Sequence, residues 1–564
     1  MSTSQWAKVP IGPRSQLWNT ARADRTVLVV VHTLTALNRL HDLLSVFDSD
    51  RRLQLACTIP GASAFDAGVE RELAGLGAVV LPWEQALASR FDLAISVHNS
   101  GNLHEIAAPL AVLSHGIGYS KYSIRSPEPG ARSPEPGARS PEPGARNVYG
   151  LSEQWLVHQG VVVPKAIVLA HDRETSRLAA AVPAAVPRAV VAGDPCFDRL
   201  VVSETSRKAY RAALGADAHT SVIFVSSTWG PRSLYGRHPN LIARLLAELD
   251  LDNHLVAAAL HPNIWVAHGA AQVRLWLADC LRAGLRLVPP VRGWQQALLA
   301  ADVVVGDHGA VTGYAAALGK PTLLASFPED DVVGDSAIGA LGRRAPRLDP
   351  HLPLAAQLDA ATRAPSAQDE VRPLVSSAPD EAAARLRRVF YSLMDETEPA
   401  TAAILPSYRA SDLAPLHEEV RAWRAHAERT GTSTVVLSRW PADVRSPHGG
   451  PPEPLDSDLV VAIDHPRRDL CALATAVLVP AGGPAAEAVF AGRPACHLVL
   501  ELGQATARVV IRDGRAATVR GDRPDLLGVA AGALLPWLGD DGELPDRLDV
   551  RLGAQQVELT ITAG

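Results

Sequence analysis

The sequence predicts an α/β protein with two Rossmann-like domains that face each other across a cleft, followed by a smaller C-terminal α/β region. Three observations support this fold class. The chain has 564 residues, which is too long for one domain. Short runs of Val, Ile and Leu alternate with amphipathic stretches, and this rhythm restarts after Leu214 and Gly215. Strands that alternate with helices form mainly parallel sheets through right-handed crossovers.

The first domain is expected to span residues 24–200, after a polar tail at residues 1–23. Its strands are predicted at Thr26–Val31, Leu53–Cys57, Ala78–Leu81, Leu93–Val97, Ala111–Ser114, Ala166–Leu169 and Ala189–Ala192. Residues 125–146 contain three copies of Ser-Pro-Glu-Pro-Gly-Ala-Arg, whose prolines and glycines prevent regular pairing. We therefore expect an extended or disordered surface insertion, and we favour a neutral repeat expansion over a flexible flap beside the site.

The second domain is expected to span residues 201–398, with an amphipathic helix at Pro379–Met394 closing it. Its strands are predicted at Val222–Val225, Leu255–Leu260, Arg286–Val288, Val303–Val305 and Thr322–Ala325. In the remaining region, residues 399–564, the segment 472–494 resembles residues 297–321, and Asp513-Gly514 indicates a hairpin turn. We interpret this region as a smaller, non-catalytic, degenerate repeat of the second domain.

The composition argues against several classes of function and structure. The net charge is −6 and no Lys/Arg block is present, so we do not expect a nucleic-acid partner. The five cysteines are odd in number and lack paired spacing, which argues against a disulfide framework or a zinc ribbon. Residues 1–19 carry no apolar core of signal-peptide length, and no later apolar run is long enough to span a bilayer. We expect a cytoplasmic protein with at most a peripheral contact to the inner membrane face.

The most informative motif follows the predicted strand Val303–Val305. A glycine turn leads there into a helix whose free amides and dipole suit a phosphate. The sequence therefore predicts that a nucleotide-diphosphate donor binds at Asp307, His308, Gly309, Ala310, Val311 and Thr312. The side chains of Asp307 and His308 either touch the donor or only cap the turn.

A second motif ends the predicted strand Ala111–Ser114. His115 at a sheet edge could accept a proton from an acceptor hydroxyl, and the glycine Gly116 allows close approach of a substrate. The alternative is a histidine that only caps the sheet edge through a backbone hydrogen bond. Lys121 follows in a chain with few lysines, which favours the functional interpretation. We predict His115 as catalytic base and Gly116, Tyr119 and Lys121 as acceptor-binding residues.

Two further segments end strands of the second domain. His261 could donate to a diphosphate oxygen, and a structural histidine before proline is the alternative. Ser227 and Thr228 offer hydroxyls to phosphate or simply turn the chain. The sequence contains no Asp-x-Asp metal pair and no Gly-x-Ser-x-Gly elbow. We therefore predict no metal or other cofactor and no covalent serine intermediate.

These motifs carry a resemblance to a family, the CDP-glycerol glycerophosphotransferases of teichoic acid synthesis, over about Leu110 to Met394. The matching residues, in the family's order, are His115-Gly116 with Lys121, Gly193-Asp194-Pro195-Cys196-Phe197-Asp198, Ser227-Thr228-Trp229 and His261-Pro262. The chain departs from the family's Asp-Tyr-Ser-Ser helix start at Asp307-His308-Gly309-Ala310, and Tyr314 stands where the family has an acidic residue.

The resemblance implies a GT-B fold, with His115 as the base on the acceptor hydroxyl and His261 on the donor diphosphate. It implies metal-independent transfer of a glycerophosphate, polyol-phosphate or glycosyl group to a hydroxyl acceptor, lipid-linked in some relatives, in cell-envelope polymer or glycoconjugate synthesis. Two alternatives remain open at this stage. One is a nucleotide-sugar glycosyltransferase or 2-epimerase-like enzyme, and the other is a non-catalytic scaffold with the same fold.

Overall fold

The computed structural model describes residues 6–11, 17–21, 23–61, 63, 66, 68–114, 116–123, 146–445, 457–538 and 544–563. The predicted base His115 and nearly all of the predicted insertion, residues 124–145, lie outside the described residues. Within the described ranges, no helix combines the length and the apolar composition that crossing a bilayer requires.

The seven strands predicted for the first part of the chain form a parallel sheet, in the order β3-β2-β1-β4-β5-β8-β9, and β6 and β7 form a small hairpin beside it. The strands are β1 Arg25–Val30, β2 Leu53–Thr58, β3 Val80–Leu81, β4 Leu93–Ser96, β5 Leu110–Leu113, β6 Val157–His158, β7 Val161–Val162, β8 Ala166–Leu169 and β9 Ala189–Val191. The helices are α1 Leu34–His41, α2 Val69–Gly75, α3 Trp83–Leu87, α4 Glu153–Leu156, α5 Asp172–Ala181 and α6 Pro195–Ser203.

The second part forms a five-stranded parallel sheet in the order β12-β11-β10-β13-β14, again from the predicted strands. These strands are β10 Ser221–Ser227, β11 His254–Leu260, β12 Arg286–Val288, β13 Val303–Gly306 and β14 Thr322–Leu324. The helices are α7 Arg207–Leu214, α8 Leu234–Arg237, α9 Leu241–Glu248, α10 Pro262–His268, α11 Ala270–Trp276, α12 Ala278–Arg282, α13 Trp294–Ala300, α14 Ala310–Ala317, α15 Ala337–Arg344, α16 Leu354–Arg363, α17 Gln368–Val371 and α18 Ala382–Leu393.

The helix predicted to close the second domain, α18, packs instead on the first sheet. Its residues Leu386 and Phe390 are fully buried in one cluster with Val27 and Val29 of β1. The rings of Phe47 and Phe390 stack there with centroids 5.6 Å apart. The amphipathic pattern predicted a buried stripe correctly, but the surface that this stripe covers is set by the path of the chain back to the first sheet.

The region after residue 399 forms a closed nine-stranded barrel, which corrects the prediction of a smaller α/β region. The barrel order is β15-β16-β22-β23-β21-β20-β19-β18-β17, and the predicted hairpin at Asp513-Gly514 joins β20 to β21. The strands are β15 Ala422–Arg429, β16 Thr434–Pro441, β17 Asp458–Ala462, β18 Ala476–Pro480, β19 Leu498–Leu502, β20 Thr506–Ile511, β21 Ala516–Gly521, β22 Arg547–Leu552 and β23 Gln555–Ala563. The helices are α19 Arg468–Leu473, α20 Ala486–Gly492 and α21 Ala530–Ala533.

The barrel interior is filled, and α21 is part of the filling. Ala530 and Ala533 are fully buried in one apolar cluster with Val435 and Val509 from the strands. The internal repeat detected in the sequence is confined to one part of the barrel. There β17, β18 and β19 pair in parallel. The following pairs, β19 with β20, β20 with β21, β21 with β23 and β23 with β22, are antiparallel. Successive side chains of these strands point alternately to the inside and the outside, which suits a sheet that closes into a barrel.

Candidate active site

A cavity of about 210 Å³ lies at the carboxyl ends of both parallel sheets. Its wall combines segments that follow β1, β4 and β5 of the first sheet with segments that follow β10, β11, β12 and β13 of the second sheet. Parallel sheets bind ligands at this edge, where loops and helix starts meet. Of the predicted site residues, those that line the cavity are Gly116, Tyr119, Lys121, Ser227, Thr228, His261, Gly309, Ala310 and Val311.

The start of α14 faces this cavity. No side chain caps the helix, and its N-cap residue Gly309 has extended backbone angles, φ −84° and ψ 160°. A side chain at Gly309 would meet Thr228 Cγ2 at 2.7 Å, so this position needs glycine for lack of space. Gly309, Ala310 and Val311 line the cavity. The first amides of α14 and its dipole are therefore presented to whatever occupies the cavity.

Asp307 holds this helix start in place and does not line the cavity. The carboxylate is fully buried; its Oδ2 accepts hydrogen bonds from the Thr228 amide at 2.8 Å, the Thr228 hydroxyl at 2.7 Å and the Leu234 amide at 2.9 Å. Its Oδ1 accepts from the Gly309 amide at 3.1 Å. Burial raises the pKa of Asp307, and the hydrogen bonds oppose that shift. The side chain therefore joins the ends of β10 and β13.

His308 and Thr312, which the sequence placed at the donor site, do not line the cavity either. The His308 ring packs edge-on against Phe327 with centroids 6.5 Å apart, and burial lowers the pKa of His308 to about 2. Thr312 is fully buried beneath the end of β13, where a Cβ on Gly306 would collide with its hydroxyl. Thr312 therefore does not supply the hydroxyl that the family motif carries at this helix start.

Ser227 and Thr228 line the cavity, but their hydroxyl hydrogens are used within the protein. The Ser227 hydroxyl donates to the Thr228 carbonyl oxygen at 2.8 Å and accepts from the Tyr235 amide at 2.9 Å. The Thr228 hydroxyl donates to Asp307. A hydroxyl has one hydrogen to donate, so neither side chain remains a donor for an anion while these bonds persist.

His261 lines the cavity. Its Nδ1 accepts a hydrogen bond from the Asn263 amide at 3.1 Å, and its own amide donates to the Ser227 carbonyl oxygen at 3.0 Å. A ring nitrogen that accepts from an amide is unprotonated, so the proton of the neutral ring is on Nε2.

Lys121 lies where the loop of the first sheet meets the second sheet. Its backbone forms an antiparallel bridge with Val332, and the neighbouring Ser120 carbonyl oxygen accepts from the Val333 amide at 2.9 Å. Burial lowers the pKa of Lys121, while Asp307 and Asp331 act in the opposite direction. Lys121 is one of the residues that line the cavity.

The rest of this loop has a tightly specified backbone. Gly118 has φ +61°, and a Cβ there would collide with a carboxylate oxygen of Glu174. That buried carboxylate accepts from the Tyr119 and Ala170 amides, each at 2.8 Å. A Cβ at Gly116 would lie 3.5 Å from Ala310 Cβ, so the loop contacts the start of α14. The residue between Ser114 and Gly116 is His115, which lies outside the described residues, so its role stays a prediction.

The sequence prediction missed a buried polar network beside the cavity. Arg39 of α1 forms an ion pair with Asp194 at 2.7 Å, and the Tyr314 hydroxyl of α14 donates to the same carboxylate at 2.8 Å. Asp194 also caps α6 through the Cys196 and Phe197 amides at 2.9 and 3.1 Å. Asp194 and Tyr314 lay in motifs that the sequence singled out, but no local pattern marks Arg39. This network links the two sheets.

The sequence prediction also missed the part of the cavity wall that lies beyond the end of β4. His98, Asn99, Tyr149 and Trp155 all line the cavity. The His98 Nδ1 accepts from the Ser100 amide at 3.1 Å, which leaves Nε2 to donate to the Tyr149 hydroxyl at 2.8 Å. The position of His98 and Asn99 directly after a buried strand was the available signal.

No protein-family model matches the chain, and no curated protein matches it in sequence. Among solved structures, a structure of the wall teichoic acid polymerase TagF is similar with a TM-score of 0.45 and 12% identity, over 66% of this chain and 89% of that chain. A glycosyltransferase from Rickettsia africae gives 0.37 and 11%, over 67% of this chain and 100% of that one. The UDP-GlcNAc 2-epimerase from Neisseria meningitidis gives 0.38 and 12%, over 66% and 100%.

Proposed function

We propose that this cavity transfers a group from a nucleotide-diphosphate donor to a hydroxyl acceptor. One observation carries the proposal. The uncapped start of α14 faces a cavity that His261, Lys121 and the strand ends of the first sheet also line. Helix amides, a neutral imidazole donor and a cation are the groups that bind paired phosphoryl oxygens.

The donor diphosphate lies against the second sheet in this proposal. The amides of Ala310 and Val311 donate to one phosphoryl group, while His261 and Lys121 donate to the other. Ser227 and Thr228 shape the site through their backbone, since their hydroxyl hydrogens are already used. This arrangement explains how the chain could bind a diphosphate without the serines of the related motif, because backbone amides need no particular side chain. In this proposal Lys121 contacts the donor, whereas the sequence predicted that it contacts the acceptor.

The reaction needs a base and a stabilised leaving group. In glycerophosphate transfer, the acceptor oxygen bonds to the phosphorus that carries glycerol, the bridging P–O bond breaks, and CMP leaves with the electron pair. In glycosyl transfer, the oxygen bonds to the anomeric carbon and a nucleoside diphosphate leaves. In both cases the acceptor proton passes to His115, and Lys121, His261 and the start of α14 stabilise the charge of the leaving group.

Calorimetric titration of the full chain with CDP, UDP, ADP and GDP tests the donor site. We expect one nucleotide to bind with micromolar to millimolar affinity. We expect Lys121→Ala and His261→Ala each to weaken binding by roughly 10- to 100-fold, because each removes a charge-assisted or buried hydrogen bond of about 1.5–3 kcal/mol. Lys165→Ala and His351→Ala, outside the cavity, are matched controls. Absence of nucleotide binding at millimolar concentration would exclude the proposed donor site.

Turnover tests the chemistry separately from binding. With the nucleotide identified, CDP-glycerol and UDP-sugars serve as donors, and the release of CMP or of a nucleoside diphosphate tells which bond is broken. We expect His115→Ala to reduce turnover by about 10²–10⁴-fold with unchanged nucleotide affinity. Full turnover in that variant would contradict the base assignment. Tight nucleotide binding without turnover of any donor would favour the non-catalytic scaffold. The side chains of His308 and Thr312 also favour it, because they do not line the cavity.

A further inference from the structure

One face of α14 packs against the loop that follows β5 of the first sheet. Ala310, Gly313 and Tyr314 lie on this face, because residues three and four apart in a helix are neighbours. A Cβ on Gly116 of the loop would lie 3.5 Å from the Ala310 Cβ. A Cβ on Gly313 would lie only 2.9 Å from Ile117 Cδ1. The helix start that is proposed to bind the donor is therefore in direct contact with this loop.

Ile117 ties this loop to the core of the second sheet. It is buried in one apolar cluster with Phe224 of β10, Val304 of β13 and Ile338 of α15. The space at Gly313 is closed from the other side by Ile338, whose Cδ1 would lie 2.6 Å from an added Cβ. Glycine at position 313 therefore allows α14 and the loop to approach each other this closely.

Tyr314 adds a polar link from the same face of α14. Its hydroxyl donates to one oxygen of Asp194 at 2.8 Å, and Arg39 of α1 pairs with the other oxygen at 2.7 Å. All three residues are buried, and the Tyr314 ring stacks on Phe197 of α6 with centroids 6.3 Å apart. Hydrogen bonds to charged groups are stronger than those between neutral groups. This link therefore resists displacement of α14 relative to α1.

The proposed reaction depends on this contact because its two halves come from different sheets. The donor is held at the start of α14, and the predicted base His115 immediately precedes Gly116 in the loop after β5. Reacting atoms must approach to about 3–3.5 Å, and a displacement of about 1 Å can slow a reaction about 100-fold. The separation between helix and loop therefore controls the rate of transfer.

We propose that Gly313 and Tyr314 are positioning residues, which hold the donor helix and the loop after β5 at the separation that group transfer requires. This inference rests on the proposed function, because it assigns further residues to the same reaction. Neither residue needs to touch the donor. Gly313 acts through Ile117, and Tyr314 acts through Asp194 and Arg39. The amides that are proposed to bind the diphosphate belong to the first turn of α14, so donor binding and positioning are separable.

Hydrogen exchange of the full chain without nucleotide, followed by mass spectrometry, tests the contact itself. Tyr314→Phe removes only the hydroxyl, and we expect exchange of the amides at residues 116–121 to rise by roughly 3- to 10-fold. Tyr391→Phe is the matched control. The Tyr391 hydroxyl donates to Asp50 at 2.7 Å, and Arg52 pairs with the same carboxylate at 2.7 Å, outside the cavity lining. We expect this control to leave exchange of the loop unchanged.

Turnover with CDP-glycerol or a UDP-sugar as donor tests the effect on transfer. We expect the kcat of Tyr314→Phe to fall by roughly 10- to 100-fold, while KM and the nucleotide affinity measured by calorimetry change by less than about 2-fold. Gly313→Ala should give the same pattern, because it displaces Ile117 and leaves the polar link intact. Circular dichroism and thermal unfolding verify that each variant is folded.

The outcomes separate this inference from the proposed function. Unchanged exchange at residues 116–121 in Tyr314→Phe, or an equal rise in Tyr391→Phe, would overturn the inference and leave the donor site standing. Full kcat in both Tyr314→Phe and Gly313→Ala would also overturn it. So would a loss of nucleotide affinity as large as that of Lys121→Ala, because Tyr314 would then act in donor binding.

Two further outcomes concern the reaction as a whole. Nucleotide binding without turnover in the wild-type protein would overturn the inference, because there would be no transfer to position. Exchange raised only in Tyr314→Phe, without any nucleotide binding, would support the contact between helix and loop and reject the proposed donor site.

Discussion

The second parallel sheet and the barrel each contain a strand–turn–helix–strand unit of similar sequence, but only the unit in the sheet borders the cavity. In the sheet, β13, α14 and β14 form this unit, and in the barrel β18, α20 and β19 form it. The two strands of each unit pair in parallel. The similarity seen in the sequence is therefore real at the level of local structure.

The two helix starts differ in what surrounds them. Strand order in the second sheet reverses between β10 and β13, and the start of α14 meets the cavity at that point. In the barrel, β18 lies between two parallel neighbours, and the turn residues 481–485 before α20 are exposed. The second helical residue is the cavity-lining Val311 in α14 and the exposed, acidic Glu487 in α20. Position in the sheet, rather than the local pattern, makes a helix start into a candidate site.

Exchanging these second helical residues gives the largest expected effect. Val311→Glu places a carboxylate beside the proposed diphosphate, and a like charge about 4 Å away costs about 4 kcal/mol at the effective dielectric near a protein surface. We expect nucleotide affinity, measured by calorimetry, to fall by roughly 1000-fold. The fold should tolerate the change, since a carboxylate is favourable in the first turn of a helix. Glu487→Val in the barrel is the control, and an equal loss there would contradict the comparison.

The basic residue that follows Gly319 in the sheet unit and Gly492 in the barrel unit gives a pH-dependent contrast. Lys320 donates to the Leu299 and Ala301 carbonyl oxygens at 3.0 and 2.9 Å, and burial lowers its pKa from 10.5 to about 8. Because the unfolded chain then binds more protons between these values, stability contributed by Lys320 rises from pH 8 to 10.5, by about 3 kcal/mol at most. Urea unfolding of wild type and Lys320→Met over this range measures the difference.

The matched control for this experiment is Arg493→Met in the barrel unit. A guanidinium does not titrate in this range, so its difference from wild type should stay constant with pH. A constant difference for Lys320→Met as well would show that burial of this lysine does not affect stability.

The carboxylate that joins β10 and β13 gives a smaller expected effect. Asp307→Asn replaces one acceptor oxygen with a donor that faces amide hydrogens, and we expect a loss of about 2 kcal/mol in the free energy of unfolding. Nucleotide affinity should fall with it, because Thr228 and Gly309 lose their common partner. Asp330→Asn, whose side chain is 82% exposed, is the control and should change stability little. Equal stability of the two variants would contradict the role assigned to Asp307.

The glycines that end the two helices give the smallest expected effect, with opposite signs. Gly319 has φ +76°, so Gly319→Ala forces a left-handed alanine and should cost about 1 kcal/mol. Gly492 ends α20 with nothing within 4 Å of an added Cβ. Gly492→Ala should raise stability by about 0.5 kcal/mol through helix propensity. Thermal unfolding of both variants measures this contrast, and shifts of the same sign would contradict it.

Most of the secondary structure could be predicted because its causes are local. All twelve strands predicted for the two parallel sheets are present, since buried parallel strands carry continuous Val, Ile and Leu runs. The glycine turn before α14 was predicted from the same kind of local signal. The barrel was missed because strand pairs such as β16 with β22 join residues far apart in the chain, and the parallel unit inside it imitates an open sheet.

The candidate site was predicted only in part, and the division follows side-chain direction. Gly309, Ala310, Val311 and His261 follow strands and line the cavity. Asp307 and Thr312 come from the same segment but point into the protein. Asp307 accepts hydrogen bonds from buried amides, and Thr312 fills the space beneath Gly306. Whether a polar side chain after a strand meets a ligand or the backbone depends on neighbours that a local pattern does not contain.

The sequence by itself determined the strands and helices of the two sheets and the glycine turns, because hydrophobic periodicity and backbone restrictions act within a few residues. Only the tertiary structure decided that α18 packs on the first sheet, that the last region closes into a barrel and that Arg39 and Asn99 line the cavity. These features arise from burial shared between distant segments, and the free energy of such burial depends on which surfaces meet.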